Sequence, residues 1–121
     1  MGKPYDIRER VFAYALEAIQ LYQTLQEKKD GAGKIIGKQL LRSATSIGAN
    51  IEEAQSGESK ADFIHKYGIA QKEARESLYW LRLLEASQLS SNQHIQSMLT
   101  ETNELIAIIT SIIVNTKKNQ K

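Results

Sequence analysis

The sequence predicts an all-α protein, an antiparallel up-down-up-down four-helix bundle in a single domain over residues 1–121. Three observations carry this. The chain has only 121 residues, one domain's worth. One proline and seven glycines leave too few turn residues for a sandwich or barrel. Apolar residues recur at alternating spacings of three and four over four long stretches, each bounded by a turn signal.

The first helix is expected over about 6–29. Asp6 is its N-cap, with Glu9 three residues on as the capping-box partner. Ile7, Val11, Tyr14, Ala18, Leu21 and Leu25 form its seam, and Asp30-Gly31-Ala32-Gly33 is expected to end it through glycine's left-handed conformation. A second helix over about 34–55 puts Ile36, Leu40, Ala44, Ile47, Ile51 and Ala54 on one face. Ser56-Gly57-Glu58-Ser59 breaks it, and Ser59 with Asp62 suggests the next cap. The third, over about 60–87, presents Phe63, Tyr67, Ala70, Ala74, Leu78, Leu81 and Leu84. A Ser/Asn-rich stretch precedes the fourth, over about 92–116, with Ile95, Met98, Leu99, Leu105, Ile106, Ile109, Ile112 and Ile113. Its isoleucines follow the helix period, so β-branching does not make it a strand. The lysine-rich tail from Lys117 is expected to fray. Short loops favour antiparallel neighbours.

Composition narrows the function classes. No cysteine is present, which excludes disulfides, thiolate nucleophiles and Cys-based zinc sites. A net charge of +2 and a pI near 8.8 are mildly basic, short of a dedicated DNA-binding module. Mean hydropathy is −0.41. No apolar run approaches the ~20 residues of a membrane span, and the N-terminus shows no signal-peptide pattern. The expectation is a cytoplasmic protein with no membrane partner.

The sequence carries no complete catalytic or metal-binding constellation. Asp62 and His65 have the acid-x-x-His spacing of a di-iron bundle, but no second copy exists. Asp62 is better read as a first-turn dipole partner. Gly31 to Lys38 matches neither phosphate-loop nor dinucleotide glycine spacing and follows no strand. No cofactor is expected.

The second helix has two busy faces. Opposite the seam lie Arg42, Ser46, Ala49, Asn50 and Glu53, and its middle from Ser43 to Ala49 is almost all small. Gly48 costs a helix interior about 1 kcal/mol relative to alanine. Small residues admit another helix closely, either within the monomer or across a subunit interface; an active site is the third reading. The third helix adds Tyr79, Trp80 and Leu83 beside its seam, an apolar sector too wide for one small bundle. Large aromatics outside a core stripe act more often as interface anchors than as cofactor contacts. Glu73 and Glu76 could pair there with Arg42, Arg75 or Arg82. Charge is also segregated: five basic residues against Asp30 between Lys28 and Arg42, and four acids against Lys60 between Glu52 and Asp62. A bundle places these segments at opposite ends. Lys28, Lys29, Lys34 and Lys38 would then form a basic rim for phosphate, or a merely solvated loop. No aromatic interleaves with these lysines, so base stacking on the rim is not supported.

The segment Leu41-Arg42-Ser43-Ala44-Thr45-Ser46-Ile47-Gly48-Ala49-Asn50-Ile51-Glu52-Glu53-Ala54 resembles the signature of a bacterial four-helix bundle family. That family comprises proteins encoded by intervening sequences of large-subunit ribosomal RNA genes and accessory proteins of diversity-generating retroelements. Arg42, Ala44, Ser46, Ile47, Asn50, Ile51 and Glu53 match its pattern, with Ala54 where the family has glycine. Ser59 to Phe63, and Ile69-Ala70 through Glu73, Glu76 and Leu81, resemble its third helix, and the likeness spans about residues 7–115. The resemblance implies a homopentameric ring without established enzymatic activity, associated with RNA or DNA, with a reverse transcriptase or with a ribonucleoprotein. Combined with the spacing argument, it places Arg42, Ser46, Asn50, Glu53, Glu73, Glu76, Tyr79 and Trp80 at or beside the subunit contact.

Overall fold

A computed structural model describes residues 6–27, 31–87 and 92–119. Among them the chain forms four helices and no strand: α1 (Ile7–Gln26), α2 (Gly31–Gln55), α3 (Lys60–Ser87) and α4 (Asn92–Lys118). Each helix packs on its chain neighbour and α4 closes on α1, with no diagonal approach, so the bundle is square in section. The α1–α4 seam is the sparsest of the four.

The expected seams form the core, except that on α3 Ser77 takes the buried position expected of Leu78, which is half-buried. Val11, Tyr14, Ala18, Leu21 and Leu25 of α1 are buried, as are Leu40, Ala44, Ile47, Ile51 and Ala54 of α2. Tyr67, Ala70, Ala74, Leu81 and Leu84 of α3 meet Ile95, Met98, Leu105, Ile109 and Ile113 of α4. Ile7, Ile36, Phe63, Leu99, Ile106 and Ile112 pack half-buried at the margins.

The caps follow local chemistry. The Asp6 carboxylate accepts from the Arg8 amide at 2.9 Å, and the Ser59 hydroxyl accepts from the Asp62 amide at 3.1 Å. Three boundaries differ from expectation. Gly31, Ala32 and Gly33 do not break the chain but open α2, and Gly33 is buried. Instead α1 ends at Glu27 in a right-handed conformation, φ −74° and ψ −16°, its amide turning back to Thr24 O at 3.3 Å. No left-handed glycine is used there. At the other end Lys117 and Lys118 remain helical.

α2 packs tightly on α1 at Gly37, where an added Cβ would stand 2.8 Å from Leu25 Cδ1. At Gly48 the same construction meets Val11 Cγ2 at 3.4 Å, an ordinary contact. The glycine within the small-residue run is therefore not the one that close packing requires.

α4 qualifies the expectation about membrane spans. Residues Gln93–Lys118 are long and apolar enough to cross a bilayer by length and composition, yet only 28% of the most apolar stretch is buried in the bundle. α4 also carries Glu101 and Glu104 in an ion-pair cluster with Arg10 of α1.

Candidate interaction surfaces

The α2–α3 flank gathers most of the polar residues singled out in the sequence. The Arg42 guanidinium bonds the Glu76 carboxylate and lies 3.7 Å from Glu73. Glu76 also accepts from the Trp80 indole at 3.0 Å. The Trp80 bond and then Arg42 hold the Glu76 carboxyl below its ordinary value, and Glu76 in turn holds Arg42 above its own. Tyr79 meets Trp80 edge-on, ring centroids 5.1 Å apart. Glu53 pairs with Lys66 at 2.7 Å rather than with Arg42. The Asn50 amide bonds Ser46 of its own helix, donating to the carbonyl at 2.9 Å and the hydroxyl at 3.2 Å. These partners all lie within one chain. One group is unmet: Glu73 Oε1 is buried with no hydrogen-bond partner among the described residues.

Two clusters carried no signal in the sequence reading. Arg10 of α1 forks onto Glu101 of α4, Nε at 3.0 Å and Nη2 at 2.8 Å, and reaches Glu104 at 2.6 Å. Both members of the main pair are nearly covered, 11% and 15% exposed, and the Glu101 bond keeps the guanidinium firmly charged. This long side chain bridges the sparse α1–α4 seam. Beneath it lies a layer of hydroxyls, one from each helix. Tyr14 meets Thr102 at 2.6 Å and Ser43 meets Ser77 at 2.8 Å. Burial pushes the Tyr14 phenol up to about 12, against the hydrogen bonds of Thr102 and Ser77.

At the end where α2 begins, Lys34 and Lys38 are exposed; Lys28 and Lys29 lie outside the described residues. The opposite end holds exposed Glu52, Glu53, Glu58 and Asp62. It is not uniformly acidic, because α4 returns Lys117 and Lys118 there and Lys60 Nζ bonds the Asn119 carbonyl at 2.6 Å.

Uncovered apolar surface concentrates on α1. Phe12, Leu16 and Ile19, at helical spacings of four and three, are 67%, 47% and 38% exposed. Beside them an apolar groove between α1 and α2, about 350 Å³, is lined by Val11, Phe12, Ala15, Thr45, Gly48 and Ala49. The Arg8–Glu52 pair, 3.7 Å apart, stands at its rim. Their spacing, off-phase from the seam, was the signal that could have found them. No metal cluster of three or more His, Cys, Asp or Glu occurs among the described residues, and His65 is exposed.

These features define an all-α four-helix bundle whose polar groups tie helix to helix and whose outer faces carry cations at one end, mixed charge at the other and an apolar stripe on α1. The model of the 23S rRNA-intervening sequence protein family matches residues 3–111, and the chain belongs to that family. A crystal structure of a protein of the S23 ribosomal protein family from Bacteroides thetaiotaomicron, described as of unknown function, is similar. The two are 38% identical with a TM-score of 0.83, over 89% of this chain and 98% of that one. No curated protein matches.

Proposed function

We propose that this protein is a non-enzymatic, homo-oligomeric helical bundle of the cytoplasm that associates with nucleic acid through its basic end. The observation that carries this reading is a division of labour on the surface. Cationic Lys34 and Lys38 are exposed at one end, while Phe12, Leu16 and Ile19 form an apolar stripe that no described residue covers. Contiguous apolar patches of this kind mark contacts with other chains. The link of the family to a ribosomal RNA intervening sequence supports a nucleic-acid role.

Assembly into a ring of five is what the family resemblance implies, and we place the subunit contact on the α1 stripe. On the flank away from it, Arg42 and Glu53 tie α2 to α3 through Glu76 and Lys66. A reverse transcriptase or a ribonucleoprotein is the macromolecular context we propose. One observation favours a second reading, a protein-interaction scaffold without nucleic-acid binding: the α1–α2 groove is apolar and of a size to receive a partner side chain.

Titration of RNA at rising salt separates the two. Phosphate contact must weaken linearly on a log–log plot, by about −0.7 per contact for single strands. Charge reversal of Lys34 and Lys38 to Glu should leave helicity intact and flatten that slope. Wild-type protein that retains no RNA at 50 mM salt would leave the scaffold reading.

A further inference from the structure

The outward face of α3 carries a second cationic surface, and this one holds an aromatic ring. Lys72, Arg75, Tyr79 and Arg82 follow one another at spacings of three, four and three, which puts them on one side of the helix over about 15 Å. All four are exposed, opposite the buried seam of Tyr67, Ala70, Ala74, Ser77, Leu81 and Leu84. The acids of α3 are drawn to its flanks. Glu73 and Glu76 face Arg42 on α2, and Glu85 accepts from Gln96 on α4. Arg75 and Arg82 make no ion pair with a described residue, and Lys72 acts on Glu76 only through space, so the stripe keeps cationic charge for a ligand.

Tyr79 is set as a platform. The residue is 54% exposed, and its ring is braced edge-on by Trp80, whose indole is fixed in turn by Glu76. A shallow recess of about 310 Å³ opens beside it, lined by Tyr79, Arg82, Leu83, Glu85 and Ala86. The antiparallel register, marked by the Ser43–Ser77 bond, brings Lys38 of α2 level with Arg82. The Arg82 end of the stripe therefore lies toward the basic end.

We propose that the α3 stripe binds single-stranded RNA, with Lys72, Arg75 and Arg82 on phosphates and Tyr79 stacking on a base. Cations tracking a backbone beside an exposed ring are how proteins hold single strands without sequence preference. The proposal rests on the nucleic-acid reading above and extends it from the helix ends to the side of the bundle, with a preference for unpaired bases.

Fluorescence anisotropy with a labelled twelve-nucleotide poly(U) RNA and a twelve-base-pair RNA duplex tests it. Tyr79→Ala should weaken poly(U) binding roughly 5- to 150-fold and leave the duplex within about twofold. Tyr79→Phe, which keeps the ring, should bind as wild type. The double variant Arg75→Glu with Arg82→Glu should weaken both probes and flatten the single-strand salt slope by about 1.4. Circular dichroism checks that each variant is folded; the exposed positions carry no core packing. If these variants bind poly(U) as wild type while Lys34→Glu with Lys38→Glu does not, the strand stays at the basic end. The stripe is then overturned and the nucleic-acid reading stands. Wild-type protein that binds neither probe at 50 mM salt overturns both. Loss of assembly in Tyr79→Ala with unchanged affinity makes this face a contact between copies, which also overturns the proposal.

Discussion

Tyr14 is the residue on which the interior is most sensitive to chemistry rather than shape. Thr102 Oγ1 donates to the Met98 carbonyl at 2.6 Å, so it receives the Tyr14 proton as acceptor. The phenol is thereby a buried donor to Thr102, with the Ser77 hydroxyl also within its reach. Its raised pKa means the fold binds that proton more tightly than the unfolded chain, where the value is near 10. The sign follows: the contribution is complete below pH 10 and is lost as pH rises from about 10 to about 12. Two pH units correspond to about 2–3 kcal/mol. Urea denaturation at pH 7, 9.5 and 11.5 should show this alkaline loss in the wild type and a smaller one in Tyr14→Phe. Equal losses in the two proteins would remove Tyr14 as the titrating group.

At the scale of the helix pair, α1 and α2 are matched at Gly37 and merely adjacent at Gly48. Alanine at 48 meets Val11 at ordinary contact distance and removes the entropic cost of glycine in a helix. Gly48→Ala should therefore stabilise the protein by about 0.5–1 kcal/mol. Valine at 37 would push Cβ and two methyls toward Leu25, which is fully buried and flanked by Tyr22. Overpacking of this kind should cost about 1–3 kcal/mol. Thermal melts of the two variants decide it: equal effects, or a stabilising Gly37→Val, would mean the helices are free to separate there. The α1–α4 pair is held differently. Its backbones are the least engaged of the four seams, and the Arg10 fork and the Tyr14–Thr102 bond span the gap with long side chains.

The whole molecule leaves two kinds of surface uncovered, and each sets a test. Phe12 and Leu16 contribute little to the core of a single chain, because most or much of each side chain faces water. Replacing both by Glu should preserve helicity and monomer stability within about 0.5 kcal/mol. Multi-angle light scattering of the wild type should give a mass several times 13.6 kDa, and the double variant should fall to that of one chain. A wild-type monomer at micromolar concentration would end the assembly proposal. A variant that stays assembled would move the contact from α1 to the α2–α3 flank.

Periodicity and caps were legible without coordinates. Val11, Ile47, Leu81 and Ile109 each declare their burial through spacing alone, and Ser59 declares a helix start, because both signals act within one or two turns of chain. Boundary chemistry was less legible: glycines at 31 and 33 look like a stop, yet glycine is tolerated in a first turn when another element packs against it, as at buried Gly33. What only the tertiary structure decided is which distant groups meet. Arg42 takes Glu76 and not Glu53, Arg10 takes Glu101 across 91 positions, and four hydroxyls from four helices fall into one layer. Likewise spacing puts the cations and the tyrosine of α3 on one face, but only the fold turns Glu73 and Glu76 toward α2 and Glu85 toward α4. Helical spacing assigns a residue to a face of its own helix. Which helix, and which level of it, that face confronts depends on how four seams close around a shared core.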